Sequence, residues 1–303
     1  MAQQSLGVVG GGVLGWAVAR GFMEHCQVKV YDVIPERLTH PLHEAATCDI
    51  VFVCLPTPSL PDGRCDTSLI DAFLEEAADR EWWGERSCYV LRSTTPVGYT
   101  QQQAAKREFS RPLLHSPEFL TARVSLTDFQ TPARNIVGHP TPVGGWSNLE
   151  SDYEHQHREM FVRAADTLED LYVRRFPGVA VHEMDSNASE LVKLACNSFF
   201  AAKVTLFNLF YDLAKARGID WDDVRGGILS DGRIAHAHTL VPGPDLLPGF
   251  GGACSAKDTA DLYHCCREAG VDAKVLREVL ERNARARQHL DPSLAKIALP
   301  VEQ

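Results

Sequence analysis

Hydrophobic positions in the first half of the chain fall in short unbroken runs separated by helical stretches. LGVVG (6–10), QVKVYD (27–32), DIVFVCLP (49–56) and SCYVLRST (87–94) are β-branched, largely apolar on both faces and closed by turn residues. That is the pattern of parallel strands buried on two sides. Helix-like pieces lie between them, over Leu14 to Met23, over a short stretch ending near Thr47, and over Leu69 to Ala78. A strand at NIVG (135–138), a helix near 158–173 and a last strand at GVAVHEM (178–184) extend the alternation. It predicts an α/β fold, with a Rossmann-like doubly wound parallel sheet filling a first domain, 1–184.

At Asp185 the pattern changes. Asn187-Ala-Ser-Glu190 reads as a capping box and Gly218 as a stop, which predicts one central helix of roughly 45 Å. Leu191, Leu194, Phe199, Phe200, Leu206, Phe207, Phe210, Tyr211 and Leu213 make it apolar on more than one face. We expect such a helix to form the core of a homodimer, in preference to being wrapped by its own domain. The rest, to 303, reads as mostly helical, interrupted by a Gly/Pro-rich loop at 241–252; with the long helix it makes a second, smaller all-helical domain, 185–303. There is no internal repeat and no low-complexity tract.

Composition narrows the function. The 303 residues are 45% hydrophobic, enough for full cores, and carry a net charge of −10 without a Lys/Arg-rich run. This argues against a nucleic-acid or membrane-surface partner and leaves a small-molecule substrate, anionic ones included. No leader segment or bilayer-length apolar run is expected, and nine cysteines without a framework spacing suit a reducing, cytoplasmic setting.

Gly10-Gly11-Gly12-Val13-Leu14-Gly15 spells G-x-G-x-x-G between a predicted strand and a predicted helix. Alone it is also what a tight βα turn looks like. Asp32, ending the next strand, supplies the carboxylate that a ribose needs, so the pair points to a dinucleotide. The same carboxylate would repel a 2′-phosphate, which favours NAD; Arg37 can face a phosphate, the pyrophosphate or solvent. Lys193 and Asn197, four apart on one helix face, are donors suited to an oxyanion, although solvated helix faces carry such pairs too. In GFGGACSAKD (249–258), a helix starting near Cys254 would place its positive end and Lys257 beside the thiol, with Asp258 on the same face. Cys54 and Cys196 read as packing residues. His236, His238 and His264-Cys265-Cys266 match no strong zinc spacing, so no metal is expected.

Six stretches, in order, carry a resemblance: VFVCLPTPSLPDGRCDTSLI (51–70), RSTTPVGYT (92–100), SPEFL (116–120), ELVKLACNSFFAAK (190–203), DGRI (231–234) and GFGGACSAKD. Over about residues 6–270 the chain resembles the UDP-glucose/GDP-mannose dehydrogenase family. The resemblance implies two successive NAD-dependent oxidations of a sugar nucleotide's primary alcohol to a carboxylate, through a thiohemiacetal and a thioester on Cys254. It implies proton transfer at Asp258, oxyanion stabilisation by Lys193 and Asn197, and positioning of water or substrate by Glu118 and Thr94. Pro56, Thr57, Thr94 and Lys257 would join Gly10, Gly12, Val13, Leu14, Gly15, Asp32 and Arg37 at the cofactor. Glu118, Phe119, Leu120, Lys193, Asn197, Phe250 and Gly251 would line the substrate, and Arg233 would reach across the dimer to its diphosphate.

The chain also departs from that pattern. It reads as a truncated member without the C-terminal nucleotide-sugar-binding domain, and the segment between Asp32 and Asp49 is short. Ser255-Ala256 replaces an aromatic-proline pair, the loop PGPDLLPGFGG is long, and Thr-Ala-Arg follows SPEFL. A single two-electron oxidation of the β-hydroxyacid dehydrogenase type and an NAD-binding module without turnover remain as alternatives.

Overall fold

The computed structural model describes residues 4–82, 88–106, 112–119, 125–141 and 152–287, without the side chains of 152–156 and 253. The chain divides into two compact units, one of residues 1–57 and 66–193, the other of residues 58–65 and 194–303.

The first unit holds a seven-stranded sheet. Its strands are β1 (Ser5–Val9), β2 (Gln27–Tyr31), β3 (Ile50–Val53), β4 (Cys88–Leu91), β5 (Leu113–His115), β6 (Asn135–His139) and β7 (Val181–Asp185), in the order β2-β1-β3-β4-β5-β6-β7. All neighbours are parallel except β5 and β6, so the sheet is mostly parallel. The six strands expected from the apolar runs form. β5 went unread because three residues without a β-branched side chain give no periodic signal. Strand order reverses between β1 and β3, where α/β sheets bind ligands beyond their carboxyl ends.

Both sheet faces are covered, which is why the strands read as continuous apolar runs. Leu6, Val8, Ile50, Phe52, Cys88 and Val90 point into one core, with residues of α1 (Val13–Phe22) and α6 (Asp152–Arg175). Their chain neighbours Val9, Val51, Val53, Tyr89 and Leu91 point into the other, against Ile70, Phe73, Leu74 and Ala77 of α3 (Ser68–Asp79). The period of two sorts alternate residues of one strand into opposite cores. Between Asp32 and Asp49 lie a 3-10 turn, Pro35–Arg37, and the short α2 (Leu42–Ala46). α4 (Tyr99–Lys106) and α5 (Ser125–Gln130) were not expected, α4 because YTQQQAAK has almost no apolar stripe.

The long helix α7 runs from Ser186 to Arg217, and Gly218 ends it at φ +68°, with Ile219 N–H returning to the Ala214 carbonyl. Its predicted capping box does not form. Asn187 is already helical and donates its N–H to Asp185 Oδ1 at 2.8 Å, so Asp185 is the capping acceptor. Glu190 is fully buried and bonded to the 95–100 turn instead.

The second unit adds α8 (Trp221–Leu229), α9 (Ala253–Glu268) and α10 (Lys274–Arg287). Phe250, Ala201, Ala256, Ala260, Val279 and Leu280 form its core cluster. Side chains of α7 and α10 fix the Gly/Pro-rich loop. Gly249 N–H donates to Asn208 at 2.9 Å, Asn283 brackets Phe250 by accepting its N–H (2.8 Å) and donating to its carbonyl (3.0 Å), and Arg287 donates to Pro248 O at 2.8 Å.

Candidate active site

In the sheet unit, β1 runs into the glycine loop and α1 begins at its end. Gly10 adopts φ +102°, which favours glycine, and a Cβ there would collide with the Cys54 backbone of β3's exit. A Cβ on Gly15 would collide with the Gly10 carbonyl, so this glycine lets α1 pack against the strand. At Gly12 a Cβ would meet nothing within 4 Å. The first and third glycines are therefore needed by the fold, and the second leaves a bare backbone facing open space at a helix N-terminus. That cradle fits a pyrophosphate. Val13 is exposed beside it and Leu14 half-buried.

Asp32 sits just past β2 with Oδ1 accepting the Ile34 N–H at 2.8 Å, which fixes its side chain at the loop. Arg37 is exposed, and its backbone carbonyl crowds Gly11. Past β3, Pro56 is exposed and Thr57 buried; Thr94, past β4, is half-buried. These residues lie at the carboxyl ends of β1 to β4, on the side of the sheet where a dinucleotide is expected.

The same unit buries Lys193. Its ammonium donates to Glu118 Oε1 at 2.9 Å and to the Glu118 carbonyl at 2.7 Å, and lies 5.8 Å from the Phe119 ring. The two side chains are 4% and 14% exposed, so the pair is held away from bulk water. A lysine has three N–H donors, and two are spent here. The predicted substrate residue Leu120 lies outside the described residues.

In the helical unit Cys254 is the second residue of α9 and is exposed; Gly252 precedes the helix at φ +82°. The N-cap is Gly252, which has no side chain to cap the helix, and Cys254 lies in the first turn, where the helix dipole favours an anion. One turn on, fully buried Asp258 accepts from Asn197 Nδ2 at 2.5 Å through Oδ2 and pairs with Lys257 at 2.7 Å through Oδ1. Lys257, expected beside the thiol, forms an ion pair with Asp258. Burial works against the Lys257 charge, but the carboxylate of Asp258, then Cys65 and Asp261, outweigh it, and Lys257 titrates above the ordinary lysine value.

Sequence reasoning missed Asp261. It is 2% exposed, and burial pushes it up to about 6 although it accepts the Cys65 N–H at 2.9 Å. Its spacing four after Lys257 was the available signal. Phe250 contributes its ring to the core, and the half-buried Gly251 lies against Asp245 and Arg287. Arg233 is exposed and grips its own neighbour Asp231 at 2.6 and 2.9 Å. Cys54 is buried as expected, whereas Cys196 is only half-buried because its part of α7 turns toward solvent. His238 stacks on Phe200 with ring centroids 4.2 Å apart. Among the described residues no three His, Cys, Asp or Glu side chains gather as a metal site, and no helix is long and apolar enough to cross a membrane.

The chain is similar to known proteins in sequence and in fold. Residues 35–156 match the model of the UDP-glucose/GDP-mannose dehydrogenase family, NAD binding domain, and residues 187–285 match that family's central domain. The glycine loop and Asp32 precede the first match and rest on their own geometry. The UDP-glucose 6-dehydrogenase of Pseudomonas aeruginosa is 29% identical over 266 residues, covering 83% of this chain and 52% of the relative. TuaD, a UDP-glucose 6-dehydrogenase of Bacillus subtilis, is 26% identical over 82% of this chain and 49% of its own length. The chain thus spans about half the length of these curated relatives. Among solved structures, a UDP-glucose dehydrogenase from Pyrobaculum islandicum superposes with a TM-score of 0.76 at 26% identity, over 93% of this chain and 68% of the other. A 3-hydroxyisobutyrate dehydrogenase from Mycobacterium tuberculosis, 17% identical with a TM-score of 0.66 over 97% and 98% of the two chains, shares the fold. With two models of one family matching in order, over the Lys193 helix and the Cys254 helix alike, the chain belongs to the UDP-glucose/GDP-mannose dehydrogenase family.

Proposed function

We propose that this chain oxidises the primary alcohol of a sugar nucleotide, a UDP-sugar in the first instance, to the carboxylate through a thioester on Cys254. The observation that carries this reading is Cys254 itself, exposed in the first turn of a helix whose N-cap is a glycine, one turn before a buried carboxylate held by Asn197 and Lys257.

Gly10, Gly12, Gly15 and Asp32 would hold NAD, with Thr57 and Thr94 alongside. When bound, NAD supplies the hydride acceptor for both oxidations. Lys193, fixed by Glu118, offers its remaining N–H to the substrate oxygen and stabilises the alkoxide and later oxyanions. The Cys254 thiolate adds to the aldehyde; the thiohemiacetal is oxidised to a thioester, and water hydrolyses it to the acid. Asp258 holds the proton that moves in these steps, while Asn197 fixes which of its oxygens faces the chemistry. On this reading Glu118 and Thr94 orient water or substrate, and Arg233 offers its exposed guanidinium to a diphosphate.

The exposed side chains of Phe199, Leu206, Phe210 and Leu213, 65%, 50%, 37% and 57% accessible along α7, support a homodimer on that helix. The test is to incubate the purified chain with NAD and a panel of UDP- and GDP-sugars and count NADH against carboxylate formed. Two NADH per acid, and no acid from Cys254→Ser, are expected. One NADH per product, or an unimpaired Cys254→Ser variant, would sink the covalent route.

A further inference from the structure

Three ionisable groups of the Cys254 helix lie together in the interior of the helical unit, and their charges do not balance. Asp258 is fully buried, Asp261 is 2% exposed, and the side chain of Lys257, which precedes both on the helix, is 12% exposed. Lys257 and Asp261 are four apart and share a helix face. Two carboxylates thus face one ammonium, and with both ionised the cluster would carry an uncompensated buried negative charge, which is costly.

The two carboxylates are not equivalent. Asp258 accepts a hydrogen bond from Asn197 on Oδ2, and its Oδ1 lies 2.7 Å from the Lys257 ammonium as an ion pair without hydrogen-bond geometry. Asp261 has one oxygen on the Cys65 N–H, and its Oδ2 is buried with no hydrogen-bond partner among the described residues. The groups around Asp261 are Lys257, Asp258 and His264 on its own helix and Cys65 on the 58–65 segment. His264 donates from Nε2 to the Asp62 carbonyl at 2.7 Å, so Asp261 and His264 together pin that segment to α9.

We propose that Asp261 is a positioning residue of the Cys254 helix that holds the cluster's spare proton on Oδ2 and, when it ionises, draws the Lys257 ammonium away from Asp258. Protonated Asp261 leaves the cation to Asp258; ionised Asp261 competes for it. Asp261 touches neither the thiol nor the substrate in this role and acts through Lys257. The catalytic part of the proposal rests on the dehydrogenase reading, and the electrostatic part does not.

The experiment compares the wild-type chain with Asp261→Asn, which mimics the protonated form, and Asp261→Ser, which keeps an acceptor for the Cys65 N–H and cannot titrate. Thermal midpoints are measured from pH 5 to 8, alongside kcat/KM for NADH formation from the substrate found in the panel. Burial raises the folded Asp261 above its unfolded value, so its contribution is complete at low pH and is lost as pH rises through about 6. The midpoint of either variant should therefore gain on the wild type between pH 5 and 7. The wild-type kcat/KM should show an ionisation near pH 6 that both variants lack. A midpoint difference independent of pH, or an ionisation retained in both variants, would overturn the proposal. Should no NADH form from any substrate, the dehydrogenase reading fails, and the midpoints alone decide for or against Asp261.

Discussion

The side-chain amide of Asn197 donates to Oδ2 of Asp258 at 2.5 Å, while the opposite oxygen of that carboxylate pairs with Lys257 at 2.7 Å. Asp258 is thereby fixed from α7 and from its own helix at once. Removing it strands a largely buried ammonium and an amide together. Asp258→Ala should cost about 3–5 kcal/mol, the usual penalty for breaking a buried pair from one side. A urea midpoint shifted down with an unchanged slope would show it; a shift of a few tenths of a kcal/mol would mean that Lys257 finds water or Asp261 instead.

The glycine loop separates folding from binding within one motif. Gly15→Ala puts a methyl into the Gly10 carbonyl and should destabilise by about 1–3 kcal/mol, as overpacking does. Gly12→Ala meets no protein atom, and as a poorer N-cap it costs at most about 1 kcal/mol. It should nevertheless weaken NAD binding by roughly tenfold or more, about 1.4 kcal/mol, because the methyl occupies the cradle. Calorimetric titration with NAD beside thermal melts distinguishes the two, and equal NAD affinity in Gly12→Ala would place the pyrophosphate elsewhere.

Much of this was legible from residue pattern. Runs such as DIVFVCLP announced strands because both of their faces are covered, and the Gly10 to Gly15 spacing announced a βα turn whose stereochemistry demands two of its glycines. What escaped were features set by contacts distant in sequence. Glu190 has the spacing of a capping box, yet its carboxylate is claimed by a turn 90 residues away. Cys196 reads as a packing residue until the rotation of α7 is known. Asp261 looks like an ordinary helix-surface acid, yet it is interior, with the Cys65 N–H of the 58–65 segment on its carboxylate and Asp62 of that segment on neighbouring His264. Local propensity gives no warning of such tertiary claims.

His115 is fully buried, 2.7 Å from the Ser189 hydroxyl. Burial, then the nearby charges of Arg92 and Lys193, push it down to about 3. Its unfolded value is near 6.5, so the neutral folded ring favours the native state fully above that pH. The stability is lost as pH falls from about 6.5 toward 3, at ~1.4 kcal/mol per pH unit. His115→Gln, which retains a partner for Ser189, should flatten the acid side of the thermal-midpoint profile between pH 6 and 4. An equally steep acid limb in that variant would assign the acid sensitivity to other groups.

Glu190 responds to pH in the opposite direction and ties the Lys193 helix to the turn that carries Thr94. Its Oε1 accepts from the Thr95 hydroxyl (3.1 Å), the Thr100 N–H (2.8 Å) and the Thr100 hydroxyl (2.6 Å), and Oε2 accepts the Gly98 N–H at 2.6 Å. Burial still prevails over those hydrogen bonds and pushes it up to about 7. An acid raised in the folded state contributes stability that is whole below its unfolded value near 4.5 and lost as pH rises through about 7. Glu190→Gln keeps the acceptor for Thr95 and Thr100 but sets an amide against the Gly98 N–H, a cost of about 1–3 kcal/mol for the unpaired donors. Its midpoint should thus lie below the wild type at pH 5 and recover toward it by pH 8. Glu190→Ala, which abandons all four donors, should lie below the Gln variant at every pH while narrowing its gap to the wild type over the same range. The same melts would contradict the assignment if the Gln variant tracked the wild type in parallel from pH 5 to 8, since the carboxylate would then not be titrating in the fold.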